Sequence, residues 1–203
     1  MAHDISWGFR VNIAYLSLIP LGLALLGGMM GILLYNSLVL GRNRTREAWS
    51  GIDVQLKRRS SLIPNLVESV RGYAKHEHVV FSEVAEARGA LNKATGPGGT
   101  PPAAAAADQM LTGALGRLMA VAEAYPQLQA AASFRQLQEE LTDTEEKIAY
   151  ARQFYNQNVL DYNTRIQAFP GNQFASLFSF QPFDYFHAEE TAKEEVKVSF
   201  TEA

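Results

Sequence analysis

The chain changes character along its length according to how its apolar residues are spaced. Between Arg10 and Arg42 no residue is charged, and residues 13–35, IAYLSLIPLGLALLGGMMGILLY, are almost wholly apolar. At about 1.5 Å per residue this run reaches roughly 35 Å, enough to cross a hydrocarbon core of about 30 Å. A buried helix of a soluble protein rarely stays apolar on every face for so many turns. A cleaved signal peptide would have a more basic start than Arg10 alone, a shorter apolar run and a small-residue cleavage site. The pattern therefore predicts an uncleaved transmembrane anchor over residues 11–36, preceded by a short arm, 1–10. Pro20 and the interior glycines are compatible with a membrane helix. Gly27 and Gly31, four residues apart, are candidates for close packing between two anchors.

After the anchor the pattern turns amphipathic. From Trp49, alternate steps of three and four residues reach Ile52, Leu56, Arg59, Ile63, Leu66, Val70, Tyr73, Glu77, Val80, Val84, Ala87 and Leu91; all are apolar or aromatic except Arg59 and Glu77. Such a seam predicts one long helix. A second stripe, Val67, Ala74 and Phe81, widens its face. Pro64 lies inside the seam, so a kink or brief break is expected there. Residues 94–102, ATGPGGTPP, are a loop. Helical spacing resumes with Leu111, Leu115, Leu118, Ala122 and Tyr125 and stops before Pro126. It returns at Phe134, Leu137, Leu141, Thr144, Ile148, Ala151, Tyr155, Asn158 and Tyr162 and runs to Phe169-Pro170, with Ser133 and Gln136 as a candidate capping box. The prediction is an all-α protein: one N-terminal transmembrane helix followed by a long antiparallel bundle over residues 37–186, built from three amphipathic helices. Residues 187–203 form an acidic tail, in which VKVSF (196–200) could be extended without an obvious pairing partner.

Charge sharpens this picture. The net charge of −3 hides a local +4 over residues 42–59, six cations against two anions, and a local −7 over residues 60–203. Arg42, Arg44, Arg46, Lys57 and Arg58 thus form a cationic collar suited to anionic lipid headgroups. By the positive-inside rule the collar puts the N-terminus outside and the bundle in the cytoplasm, as in a single-pass protein of the bacterial inner membrane. The acidic remainder argues against nucleic acid. The lack of cysteine excludes disulfides and thiolate chemistry.

Residues 169–186, FPGNQFASLFSFQPFDYF, carry seven aromatics. Phe174, Phe178, Phe180, Phe183, Tyr185 and Phe186 either seal the end of the bundle or form an interface with lipid or a neighbouring copy. His76-Glu77-His78 lacks the spacing that would put two histidines on one helix face, so it reads as solvated helix surface. The acidic run Glu139, Glu140, Asp143, Glu145 and Glu146 also reads as a solvated face. Tyr155-Asn156 and Tyr162-Asn163 recur at heptad spacing, as core positions with interhelical amide hydrogen bonds. Arg59, on the seam, needs a carboxylate partner if buried; Glu145 and Asp161 are the candidates. No nucleophile elbow, phosphate loop or dinucleotide fingerprint occurs, and no cofactor is expected.

Three stretches resemble the bacterial LemA family: YNSLVLGRNRTREAWSGIDVQLKRRSSLIPNLVESVRGYAKHE, EAYPQLQAAASFRQLQEELTDTEEKIAYARQFYNQNVLDYN and FPGNQFASLF. The resemblance covers about residues 35–186 and implies an anchored helical bundle with no established catalytic centre, an architecture shared with the family's magnetosome-associated branch. Thr45 stands where the family usually has an apolar residue, which would loosen packing near the membrane. Ser61 stands where it usually has Asp, which leaves the collar more cationic.

Two functions fit this reading. One is a non-enzymatic scaffold that self-associates and organises or shapes the membrane. The other is a tethered adaptor for a membrane-protein partner such as a protease, a sensor or an envelope-stress component. An enzyme fits poorly.

Overall fold

The computed structural model describes residues 5–187, with side chains from Leu18 onward. Residues 1–4 of the expected arm (1–10) and the acidic tail after His187, VKVSF included, lie outside the described residues, and residues 5–10 belong to the first helix. Within them the chain forms six helices: α1 (Ile5–Arg71), α2 (His78–Ala94), α3 (Pro101–Glu123), α4 (Pro126–Ala130), α5 (Ala132–Gln167) and α6 (Gly171–Leu177). No strand occurs among the described residues.

The fold is all-α, with an apolar N-terminal helix long enough to span a bilayer followed by an antiparallel bundle. Two points of the expected organisation change. The anchor and the first bundle helix are one uninterrupted helix, α1, which passes through Pro64 without a break. The chain breaks later, at Gly72–Glu77, and α2 folds back along α1. The Arg71 guanidinium lies over the Phe81 ring, 5.2 Å from its centroid, and Ser60 Oγ donates to Asn92 Oδ1 at 2.7 Å. The long helix expected through Leu91 is therefore a hairpin, and the bundle has four helices in place of the expected three. The break follows from composition: Gly72, then Lys75-His76-Glu77-His78, offers no apolar side chain to continue the seam. Ala74 and Phe81, from the second stripe, are buried in place of Tyr73 and Val80.

Two compact units divide the chain, each taking part of α1 and part of α5. The larger comprises residues 45–159 and, of the described residues after them, 184–187. In it α1, α2, α3 and α5 alternate in direction. Arg117 of α3 meets Glu83 of α2 at 2.7 Å, and Thr45 of α1 donates to the Asn158 carbonyl of α5 at 3.3 Å, with Arg59 and Glu145 paired further along. Ile52, Leu56, Ile63, Leu66, Leu91, Leu111, Leu118 and Ile148 fill its core, as the seams predict. α3 starts where proline is tolerated, at Pro101-Pro102, with Thr100 accepting from the Ala103 N–H as its cap. α5 begins at Ala132, ahead of the expected capping box, and Gln136 instead donates to Glu140. Thr45 does not loosen the packing: it is fully buried and hydrogen-bonded.

The smaller unit comprises, of the described residues, 5–44 and 160–183. Leu38, Tyr162, Ile166, Ala175 and Phe180 form its core. Gly41 lets the Tyr162 ring pack close there: an added Cβ would lie 3.2 Å from it, and the ring would have to shift by a few tenths of an ångström. From Leu18 to Met30 the described side chains of α1 are exposed, and the apolar window that could cross a membrane has no buried share. The helix is long and apolar enough there to cross a membrane.

Candidate functional site

Two Tyr–Asn pairs on α5 hold the backbone of a later segment. In the larger unit, Tyr155 donates its hydroxyl to the Asp184 carbonyl at 2.8 Å. Its neighbour Asn156 holds Phe186 at both backbone groups, accepting from its N–H at 2.9 Å and donating to its carbonyl at 3.0 Å. In the smaller unit the same pair recurs: Tyr162 donates to the Gln181 carbonyl at 3.1 Å, and Asn163 holds the Phe183 N–H and carbonyl at 3.0 and 2.9 Å. Each Tyr–Asn pair thus holds one phenylalanine of the same segment by its backbone, Phe186 in the larger unit and Phe183 in the smaller.

The interhelical amide bonds expected of these pairs are not what forms. The pairs grip instead the backbone of a non-helical segment that follows α6, and a carboxamide can do so because it carries one acceptor and one donor side by side. Burial, and then the charge of Asp184, push the Tyr155 phenol up from 10.0 to about 12. Phe186 is buried against Trp49, with ring centroids 6.2 Å apart, and the Arg152 guanidinium lies over the Phe186 ring at 5.0 Å. The aromatic segment therefore divides. Phe180 and Phe186 are core residues, Phe174, Phe183 and Tyr185 are half-buried, and Phe178 is exposed.

The second polar centre is Arg59, only 3% exposed. Its guanidinium meets Asp108 of α3 at 2.6 Å and Glu145 of α5 at 3.0 Å, and donates to the Thr112 hydroxyl at 3.1 Å. Glu145 is a partner that the seam anticipates. Asp108 is one that it does not; Asp161, the other candidate, belongs to the smaller unit. The acidic run on α5 also makes surface ion pairs: Asp143, 47% exposed, meets Lys147 at 2.7 Å and Arg58 at 3.7 Å. The hydrogen bond from Lys147, reinforced by the charges of Lys147 and Arg58, holds the Asp143 carboxyl below its ordinary range.

The collar residues are also unequal. Arg44 and Arg46 are exposed. Arg42 is half-buried and lies over the Phe180 ring at 5.1 Å. Lys57 is exposed but paired with Asp53 at 2.6 Å. Of the anchor glycines, Gly27 faces open space, whereas an added Cβ at Gly31 would stand 3.2 Å from the Phe174 ring. His76 and His78 lie at the α1–α2 turn and the start of α2, not on a helix face shared by both. No cluster of metal-ligating side chains occurs among the described residues.

The sequence profile of the LemA family matches residues 48–200. The chain belongs to the LemA family. Magnetosome protein MamQ of Magnetospirillum gryphiswaldense is 30% identical over 175 residues, which cover 75% of this chain and 64% of that protein. Magnetosome protein MamQ 2 of Paramagnetospirillum magneticum is 30% identical over 174 residues, with the same coverage of 75% and 64%. Protein LemA of Metamycoplasma hominis is 25% identical over 164 residues, 81% of this chain and 74% of that protein. The chain thus spans less than two thirds of the MamQ proteins it matches. The LemA match includes both Tyr–Asn pairs, Arg59 and Asp108.

Proposed function

We propose that this LemA-family protein is a non-enzymatic scaffold, anchored by α1, that self-associates at the bacterial inner membrane and organises or shapes it. The observation that carries the reading is how its buried polar groups are used. Tyr155, Asn156, Tyr162 and Asn163 bind the chain's own backbone, and Arg59 binds the chain's own acids. Side chains spent in this way hold a shape and leave the molecule to act through its surfaces. The surfaces on offer are the apolar flank of α1 and the exposed cations Arg44 and Arg46, which favour anionic headgroups and a cytoplasmic bundle. The relatives named magnetosome proteins are consistent with work at an organised bacterial membrane.

The deciding experiment is the mass and shape of the full-length protein in mild detergent and in native membrane extracts. A large, regular assembly of this chain alone supports the scaffold. A second reading, a tethered adaptor, is favoured by one surface feature: Tyr150 and Phe154 of α5 stack at 6.5 Å while 72% and 51% exposed. A monomer that co-purifies with one defined membrane protein, and loses it on Tyr150→Ser and Phe154→Ser, would replace the scaffold by the adaptor.

A further inference from the structure

In the smaller unit, α6 leans its rings on the glycine-rich part of α1. Phe174 packs on Gly31, Phe178 meets Tyr35 edge-on with ring centroids 4.9 Å apart, and the two phenylalanines stack at 6.4 Å. Between them and α1 runs a groove of about 510 Å³, floored by Gly27, Gly28 and Ile32. Its size falls among small-molecule sites, roughly 300–1,000 Å³.

Three observations say what occupies it. The lining residues are glycine, isoleucine, phenylalanine and one tyrosine, so a polar ligand finds no charged partner. The floor belongs to the apolar stretch of α1, and the chain around it keeps apolar side chains outside: Phe169 is 82% exposed, Leu177 74% and Phe178 50%. Tyr35, then Arg42, Arg44 and Arg46, follow on α1 in the order in which an aromatic belt and cations follow the hydrocarbon at a membrane boundary. A second helix is a poor fit, because Phe174 already fills the space beside Gly31 that a small-residue crossing would need. A thin, flexible apolar chain fits.

We propose that this groove holds an acyl chain of a bilayer phospholipid, with α6 and its flanking Phe169 set as a wedge at the lipid boundary. The site rests on the membrane anchoring in the reading above, and goes beyond it by naming a lipid contact outside the spanning helix. It also assigns Phe178 and Leu177 to lipid, in contrast to Phe180 and Phe186, which serve the cores.

The test uses the full-length protein in vesicles of phosphatidylethanolamine and phosphatidylglycerol. A benzophenone-bearing phenylalanine replaces Phe178 in one sample and Leu25, on the exposed flank of α1, in another; adducts after illumination are read by mass spectrometry. Lipid adducts at both positions are expected. Gly27→Leu with Gly28→Leu, which fill the floor, should lower the yield at position 178 several-fold and leave that at position 25 unchanged. Lipid at 25 with none at 178 overturns the groove and leaves the anchor standing. No lipid at either position overturns both. A cross-link between two copies through position 178 overturns the lipid in favour of a second copy of this chain.

Discussion

Arg88 of α2 donates its Nε–H to the carbonyl oxygen of Ser60 in α1, at 3.0 Å. Ser60 is four residues before Pro64, so this carbonyl is the one that proline leaves without its helical donor. A buried carbonyl left unpaired is costly, and a proline in a helix interior ordinarily kinks or breaks it. Here a side chain from the neighbouring helix supplies the missing hydrogen bond, and α1 continues to Arg71.

This relationship makes Arg88 and Pro64 energetically coupled. Arg88→Met should cost about 1.5–3 kcal/mol, the range for hydrogen bonds to charged groups. In a Pro64→Ala background the backbone N–H returns, and the cost of Arg88→Met should fall by about 1 kcal/mol or more. Urea unfolding of the four proteins in one detergent, followed by circular dichroism, gives the cycle. Equal costs in the two backgrounds would show that Arg88 acts only through packing or charge.

Arg59 and Asp108 make a stronger demand, because both side chains are only 4% exposed. Asp108→Ala removes the buried partner of the Arg59 guanidinium, leaving it Glu145 and the Thr112 hydroxyl, and should cost about 3 kcal/mol, the low end for breaking a buried pair. Glu145→Gln should stay within about 1 kcal/mol, since Glu145 is 45% exposed and water screens its charge. Replacing both members together, Arg59→Met with Asp108→Leu, should recover most of the loss. Thermal unfolding of the three variants checks the order; a double variant as unstable as Asp108→Ala alone would contradict it.

Much of the fold is legible locally, and what is not is settled across helices. The long apolar helix is legible because a charge-free stretch of this length marks a helix that could cross a membrane, and the burial of Ile52, Leu56, Ile63 and Leu66 follows from spacing alone. Pro64 misleads because the donor that rescues its helix sits on another element. Gly72 and the polar run 75–78 are the local signal for the true turn, but an unbroken count of threes and fours carries the seam over them. Asp108 is hidden in an alanine-rich run that gives no hint of a buried charge. The Tyr–Asn repeat is visible as a repeat, yet its task depends on a segment 19 to 30 residues further on.

The backbone bonds of that segment can be removed one residue at a time. Asn163→Ala removes both bonds to Phe183, and Asn156→Ala both bonds to Phe186. Hydrogen exchange should quicken at the Phe183 amide in the first variant and at the Phe186 amide in the second, with α2 and α3 amides unchanged. Asn156→Asp should act almost as strongly as alanine, because a carboxylate keeps the acceptor but points an anion at the Phe186 carbonyl. Unchanged protection in all three would mean that the aromatic side chains alone hold the segment.

Tyr155 supplies the pH dependence. Its phenol is raised from 10.0 to about 12 by burial and, secondarily, by Asp184, so the fold favours the protonated form. The stability that follows is complete below the unfolded value near pH 10 and is lost as pH rises from there through about 12. The phenolate cannot donate to the Asp184 carbonyl, and it would also stand beside a second anion. A difference titration of phenolate absorbance, wild type minus Tyr155→Phe, isolates this group from the other seven tyrosines. It should place the midpoint well above 10 in the folded protein and near 10 in urea. The Phe variant should also lose stability less steeply than wild type between pH 10 and 12. A folded-state midpoint at the ordinary value would mean that water reaches the hydroxyl and that the bond to Asp184 does not persist in solution.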